Sequence, residues 1–266
     1  MRPHLTDTVR HLVILNVMIF VGLMLLPGYV RDEWFVLHKQ NLILQRPTIE
    51  VDDRPYFVPE GFRIPDMTGE RVRPDQEMID TLIAADPSVG AQLAANLRIL
   101  AADAFIPIQL VTSFFNHSHY SFFHILFNML FLASLGSLVE MALGARRFLL
   151  YYLFSGVMAG VLLAFFDPSP VPVVGASTAL SGVLVAVAYY FPDHRLGVLF
   201  IPVQFPARDF VLLYATGSVV LMFMGWRNPA WGGQISHFGH LAGMGAGMLY
   251  LVLERYMPFL QDRRRP

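Results

Sequence analysis

From Phe105 to Arg255 the chain is a succession of apolar runs, most of them long enough to cross hydrocarbon, joined by short connections rich in arginine and proline. In a bilayer every backbone N–H and C=O must be bonded within the protein, so runs of this kind form helices that pack on one another. Composition agrees. Of 266 residues, 55% are hydrophobic and 15% charged, where a soluble domain carries about 25% charged residues. Mean hydropathy is +0.50. Spans are expected near 122–142, 147–166, 177–192, 209–226 and 238–255. A sixth is expected at the start, where Arg2 and Arg10 precede "HLVILNVMIFVGLMLLP" (11–27). A secretory signal also begins with a positive charge before an apolar run. This run is long for one, and no A-x-A-like cleavage site follows it, so it is read as a first transmembrane helix.

Between that helix and the apolar half lies 28–104, rich in Pro, Asp and Glu. Residues 46–75, with prolines at 47, 55, 59, 65 and 74, are expected to be irregular. Residues 76–102 have helical periodicity broken at Pro87 and predict one or two surface helices. Four regions follow: an N-terminal segment with the first helix (1–27), a polar extramembrane insertion (28–104), a membrane core (105–255) and a basic tail (256–266). The fold class is an all-α membrane protein of six transmembrane helices with a large polar insertion after the first. Arg146, Arg147, Arg195, Arg208 and Arg263–Arg265 mark short loops and the end of the chain. By the positive-inside rule both termini are expected to be cytoplasmic and the insertion to face outward. A bacterial inner (plasma) membrane is the expected location. The chain has no cysteine, which excludes disulfides and thiol chemistry. No nucleic-acid partner is expected, and the oligomeric state is left open.

Polar side chains inside hydrocarbon are costly unless paired or lining a wet cavity, so they mark sites. "HILFN" sets His124 and Asn128 four residues apart, on one helix face, both able to donate to an anionic oxygen. The same pair also reads as interhelical hydrogen-bonding glue. His117 and His119 precede it in "NHSHYSFFH". A metal is not expected, because no H-E-x-x-H occurs and no carboxylate is near in sequence. His237 and His240 open the last span, and Gly239, Gly243 and Gly247 form a stripe that lets another backbone come close. Ser177 and Ser181, four residues apart in "VVGASTALSGVLVA", are either packers bonded back to a carbonyl or a nucleophile and its neighbour. Serine, two histidines and an asparagine on three apolar helices suit acyl transfer by a Ser–His dyad with side-chain oxyanion donors.

These residues resemble the rhomboid family of intramembrane serine proteases. Three stretches carry the likeness in order. The first, "IQLVTSFFNHSHYSFFHILFNMLFLASLGSLVEMALGARRFLLYYLFSG", holds His124, Asn128, Glu140 and Gly144. The second is "VPVVGASTALSGVLVAVAYYFP" and the third is "ISHFGHLAGMGAG". The resemblance implies a six-helix core, Ser177 as nucleophile, His240 as general base, and an oxyanion hole from His124, Asn128 and the Ser177 N–H. His119, His237, Thr178 and Ser181 are accessory candidates. It implies transmembrane protein substrates, a lipid bilayer as surroundings, and no metal or other cofactor. Two positions depart from the family pattern. Thr178 stands where G-x-S-G has its second glycine, and Ser181 stands where the family often has an aromatic residue packed on the catalytic histidine. A register with "ALSG" (179–182) and Ser181 as nucleophile restores Ser-Gly but loses the first glycine. A catalytically impaired relative that binds membrane-protein clients is the alternative function.

Overall fold

The computed structural model describes residues 5–26, 35–37, 48–51, 54–57, 64–66, 68–90, 92, 107–118, 121–167, 173–197, 203–227 and 235–256. Each expected span coincides with a helix. These are α1 (Asp7–Met24), α4 (Phe122–Leu143, with a π turn at Leu132–Gly136), α5 (Ala145–Phe166), α6 (Ser177–Tyr190), α7 (Ala207–Arg227) and α8 (His237–Tyr256). Among the described residues, four helices (α1, α4, α5 and α7) are long and apolar enough to cross a membrane. The other two fall short for different reasons. With 14 residues α6 is too short, and the histidines and glycines of α8 dilute its hydropathy.

The insertion is less irregular than expected. β1 (Thr48–Val51) pairs antiparallel with β2 (Arg54–Phe57), and β3 (Ile64–Pro65) with β4 (Arg71–Val72). The β-branched run at Thr48–Val51 outweighs the prolines, since a two-stranded ribbon leaves edges where a missing N–H costs nothing. Ile49 and Val51 are buried. The β3–β4 turn is closed by Asp66, which accepts from the Thr68 and Glu70 amides, with Gly69 at φ +88°. α2 (Gln76–Ala85) stops just before Pro87, as the periodicity predicts, and Asp75 caps it by accepting from the Met78 amide at 2.9 Å. The single turn α3 (Gln109–Thr112) precedes α4. The expected continuation to 102 lies largely outside the described residues. One short piece of the insertion is pinned to the core. Leu37, which is buried, forms an antiparallel bridge with Val173, and Asn116 Nδ2 donates to the Phe35 carbonyl.

α6 forms the centre. It is buried without interruption from Thr178 to Val187, and α4, α5, α7 and α8 pack around it. A helix apolar on every side belongs inside its bundle rather than at its surface. α7 is the opposite, with Leu212, Leu213, Val220 and Phe223 exposed. A short hairpin, β5 (Arg195–Gly197) with β6 (Gln204–Pro206), joins α6 to α7 where a plain connection was expected.

Two buried carboxylates lock the helices together. Glu140 of α4 accepts from the Thr8 and Val9 amides, at 3.1 and 2.9 Å, and from the Thr6 hydroxyl. It therefore caps α1 from outside, satisfying first-turn donors that no residue of α1 reaches and facing the positive end of that helix. That explains why α1 starts earlier than the apolar run. Gly144, at φ +80°, then ends α4 with its amide on the Glu140 carbonyl. Replacing Glu140 by alanine is expected to cost about 3 kcal/mol, from three charge-assisted bonds and the orphaned helix end. Unfolding titrations in detergent read this, and a cost below about 0.5 kcal/mol would show that the cap is decorative. At the same end of the bundle, just past the Gly144 turn, Arg147 pairs with Glu254 of α8, which also accepts from the Tyr190 hydroxyl. Arg147, expected in a short loop, stands instead in the first turn of α5 and acts as a strut between α5 and α8.

Candidate active site

Ser177 opens α6, and the turn before it runs against α4. Gly175 has φ +112°, a conformation that L side chains avoid. A Cβ there would lie 2.8 Å from His124 Nε2 and 4.0 Å from Asn128 Nδ2. Only glycine lets the backbone come that near, and its amide is anchored on the Ser113 carbonyl at 2.9 Å. His124 and Asn128 are thus brought together beside the turn that opens α6. Asn128 Nδ2 donates to the His124 carbonyl at 2.7 Å, which holds its amide group on that face.

The His124 ring has a defined hydrogen-bonding state. The Ser118 amide donates to Nδ1 at 3.2 Å. A backbone amide only donates, so in the neutral ring Nδ1 is the acceptor and Nε2 carries the proton. An N–H donor therefore faces the Gly175–Ser177 turn. His117, fully buried, packs its ring edge-on against His124 with centroids 5.3 Å apart. His119 lies outside the described residues.

α8 meets α6 backbone to backbone. A Cβ on Gly243 would overlap the Thr178 carbonyl oxygen, and one on Gly247 would lie 2.8 Å from Gly182 Cα. The glycine stripe thus works as its spacing suggests, and it carries His240, buried in the α6–α8 contact, to the helix that begins with Ser177. The Tyr214 hydroxyl lies 2.8 Å from His240 Nδ1, so Nε2 is the ring nitrogen left for a hydroxyl. Ser177 Oγ makes no hydrogen bond to another described residue; such contacts often tighten only when substrate is present. His237 stands one turn away, edge-on to His240 at 6.2 Å between centroids, and is half-buried.

The two serines differ sharply. Ser181 is buried and donates its hydroxyl to the Ser177 carbonyl at 2.8 Å, the back-bonded state expected of a packing serine. Ser177 is the more accessible. Thr178 is buried, and its Cγ2 points to α8, 3.1 Å from where a Gly239 Cβ would sit. Its methyl fills the space left by the missing Cβ. The pair predicts a coupling. Thr178→Gly is expected to be tolerated, whereas Gly239→Ala is expected to destabilise the protein, less so in the Thr178→Gly background. A double-mutant cycle should give about 1 kcal/mol of interaction; strict additivity would remove the compensation.

Sequence reasoning missed Tyr214. It lies on a separate helix and belongs to no motif, so only the tertiary packing brings it to His240.

The family model described as the Rhomboid domain matches residues 107–256. The chain is 32% identical over 143 residues to the mitochondrial presenilin-associated rhomboid-like protein of Mus musculus, covering 51% of this chain and 35% of that protein. It is 32% identical over 139 residues to Rhomboid protein 1, mitochondrial, of Saccharomyces cerevisiae, covering 50% and 38%. It is 32% identical over 132 residues to Rhomboid protease GluP of Bacillus subtilis, covering 48% and 23%. The matched stretch thus spans about a third of the length of the mouse relative. The mitochondrial names of the mouse and yeast relatives overturn the expected bacterial plasma membrane and, with it, the cytoplasmic assignment of the two ends. The physical reason is that arginine patterning orients helices relative to a charge asymmetry and carries nothing about which membrane holds them. The match over 107–256 and the motif order agree, and the chain belongs to the rhomboid family.

Proposed function

We propose that this chain is an intramembrane serine endopeptidase that cleaves transmembrane protein substrates with Ser177 as nucleophile and His240 as base. The observation that carries the reading is the position of the Gly175–Ser177 turn between a donor-bearing His124–Asn128 face and the helix of His240. His240 Nε2 takes the Ser177 proton as Oγ bonds to the substrate carbonyl carbon. The oxyanion that forms is held by His124 Nε2–H, Asn128 Nδ2–H and the Ser177 amide. The proton then passes to the leaving amine as the C–N bond breaks, and water hydrolyses the acyl-enzyme by the same steps. Each oxyanion donor is expected to lower the barrier by about 3 kcal/mol.

Depth supports the substrate class. The 14 residues of α6 rise about 21 Å, short of the roughly 30 Å of hydrocarbon. With the Tyr189–Tyr190 end at one interface, Ser177 lies below the other, where water must be admitted. The core is proposed to contain six helices, with α6 and α8 completing the four that meet the span criterion, and the polar insertion is proposed to stand outside the bilayer. The names of the mouse and yeast relatives support a mitochondrial membrane as the location, and the name of the Bacillus relative supports protease activity.

The test is labelling by a fluorophosphonate, with the modified residue mapped by mass spectrometry, alongside cleavage of a model transmembrane substrate. Labelling at Ser177 with cleavage supports the reading. A folded protein that no serine-directed probe modifies points instead to a client-binding relative without catalysis.

A further inference from the structure

The His240 imidazole is held by a group from neither its own helix nor the nucleophile's. Tyr214 of α7 places its hydroxyl 2.8 Å from His240 Nδ1. Its ring lies against the imidazole, 5.8 Å between centroids and 30° between planes. A phenol oxygen accepts as well as donates, so it can take a bond from an Nδ1–H. A neutral imidazole protonated at Nδ1 has its lone pair on Nε2, the form that a base acting through Nε2 requires.

We infer that Tyr214 is a positioning residue for the reaction proposed above, on which this inference rests. By accepting from Nδ1–H and lying against the ring, it holds His240 in the Nδ1–H tautomer and leaves Nε2 as the basic nitrogen. A carboxylate has this task in Ser–His–Asp triads. Here the partner is neutral, which suits a site inside hydrocarbon, where an added charge is costly. The departure at Ser181 then has a physical account: the ring that packs on the histidine is delivered from α7 instead.

The contrast with His124 strengthens the assignment. There a donor-only amide on Nδ1 leaves the proton on Nε2, which suits an oxyanion donor. At His240 a phenol oxygen, which can accept, faces Nδ1 and leaves Nε2 bare, which suits a base. Two histidines are thereby set to opposite tasks by what their Nδ1 atoms meet.

The test uses the full chain in detergent or lipid. Tyr214→Phe keeps the ring and removes the hydroxyl. The rate of fluorophosphonate labelling at Ser177 is expected to fall about tenfold, the worth of one hydrogen bond in a rate. The loss should appear in kcat, with KM unchanged. Nitrogen NMR of labelled histidine should show His240 as Nδ1–H in the wild-type protein and as a tautomer mixture in Tyr214→Phe. Moving the ring to α6, in Tyr214→Ala/Ser181→Tyr, is expected to restore part of the rate lost in Tyr214→Ala. The two ways of failing separate. An unlabelled wild-type protein overturns the peptidase reading. A labelled wild type whose Tyr214→Phe variant keeps its rate and tautomer overturns only the role of Tyr214.

Discussion

Ser177→Ala is expected to abolish fluorophosphonate labelling and to lower cleavage of a transmembrane substrate by at least about 10⁴-fold. His240→Ala is expected to do nearly the same, because nucleophile and base act as a unit and removing either removes the step they share. The companion variant is Ser181→Ala. Its hydroxyl is turned back onto the Ser177 carbonyl, so it is expected to remain labelled at Ser177. Undiminished labelling in Ser177→Ala would sink the assignment and move the nucleophile to Ser181. Labelling and substrate cleavage should fall together. A variant that loses cleavage but keeps labelling has lost substrate access rather than chemistry.

The second large effect is expected at Gly243. A side chain there runs into the Thr178 carbonyl oxygen, a backbone atom that cannot rotate aside. Gly243→Ala must push α8 away from α6, at a cost of about 3 kcal/mol if the bundle yields, and Gly243→Val more. Activity should suffer even where the protein still folds. His240 sits on the displaced helix, and a shift of roughly 1 Å in a catalytic group costs about 10²-fold in rate. Gly245, two residues on, has nothing within 4 Å of its Cβ position and is exposed, so Gly245→Ala is expected to leave both stability and activity unchanged. Melting in detergent and labelling rates measure the pair. Equal tolerance at 243 and 245 would mean that the glycine stripe is not the contact that positions His240.

The helical architecture was legible in the sequence because hydrocarbon leaves few options. Apolar run length located α4, α5 and α7 to within a few residues, since only a helix satisfies its own backbone there. The stripe at Gly239, Gly243 and Gly247 likewise announced a close helix contact, because a missing Cβ at helical spacing has one main use. The β1–β2 ribbon was missed for the opposite reason: outside the membrane, five prolines weigh against a strand, and only pairing with a partner strand overrides them. Location was misjudged because charge asymmetry is common to many membranes.

The membrane helices and the order of the motifs were legible from the chain alone, because they depend on composition and on spacing along one helix. Which way the side chains turn came from packing between helices. It set Thr178 Cγ2 against Gly239 and seated Glu140 on the start of α1. It also brought Tyr214 from α7 to His240. Such contacts join residues far apart in the chain, and no local period encodes them. They arise because helices packed around a buried short helix bring side chains from separate spans to one place.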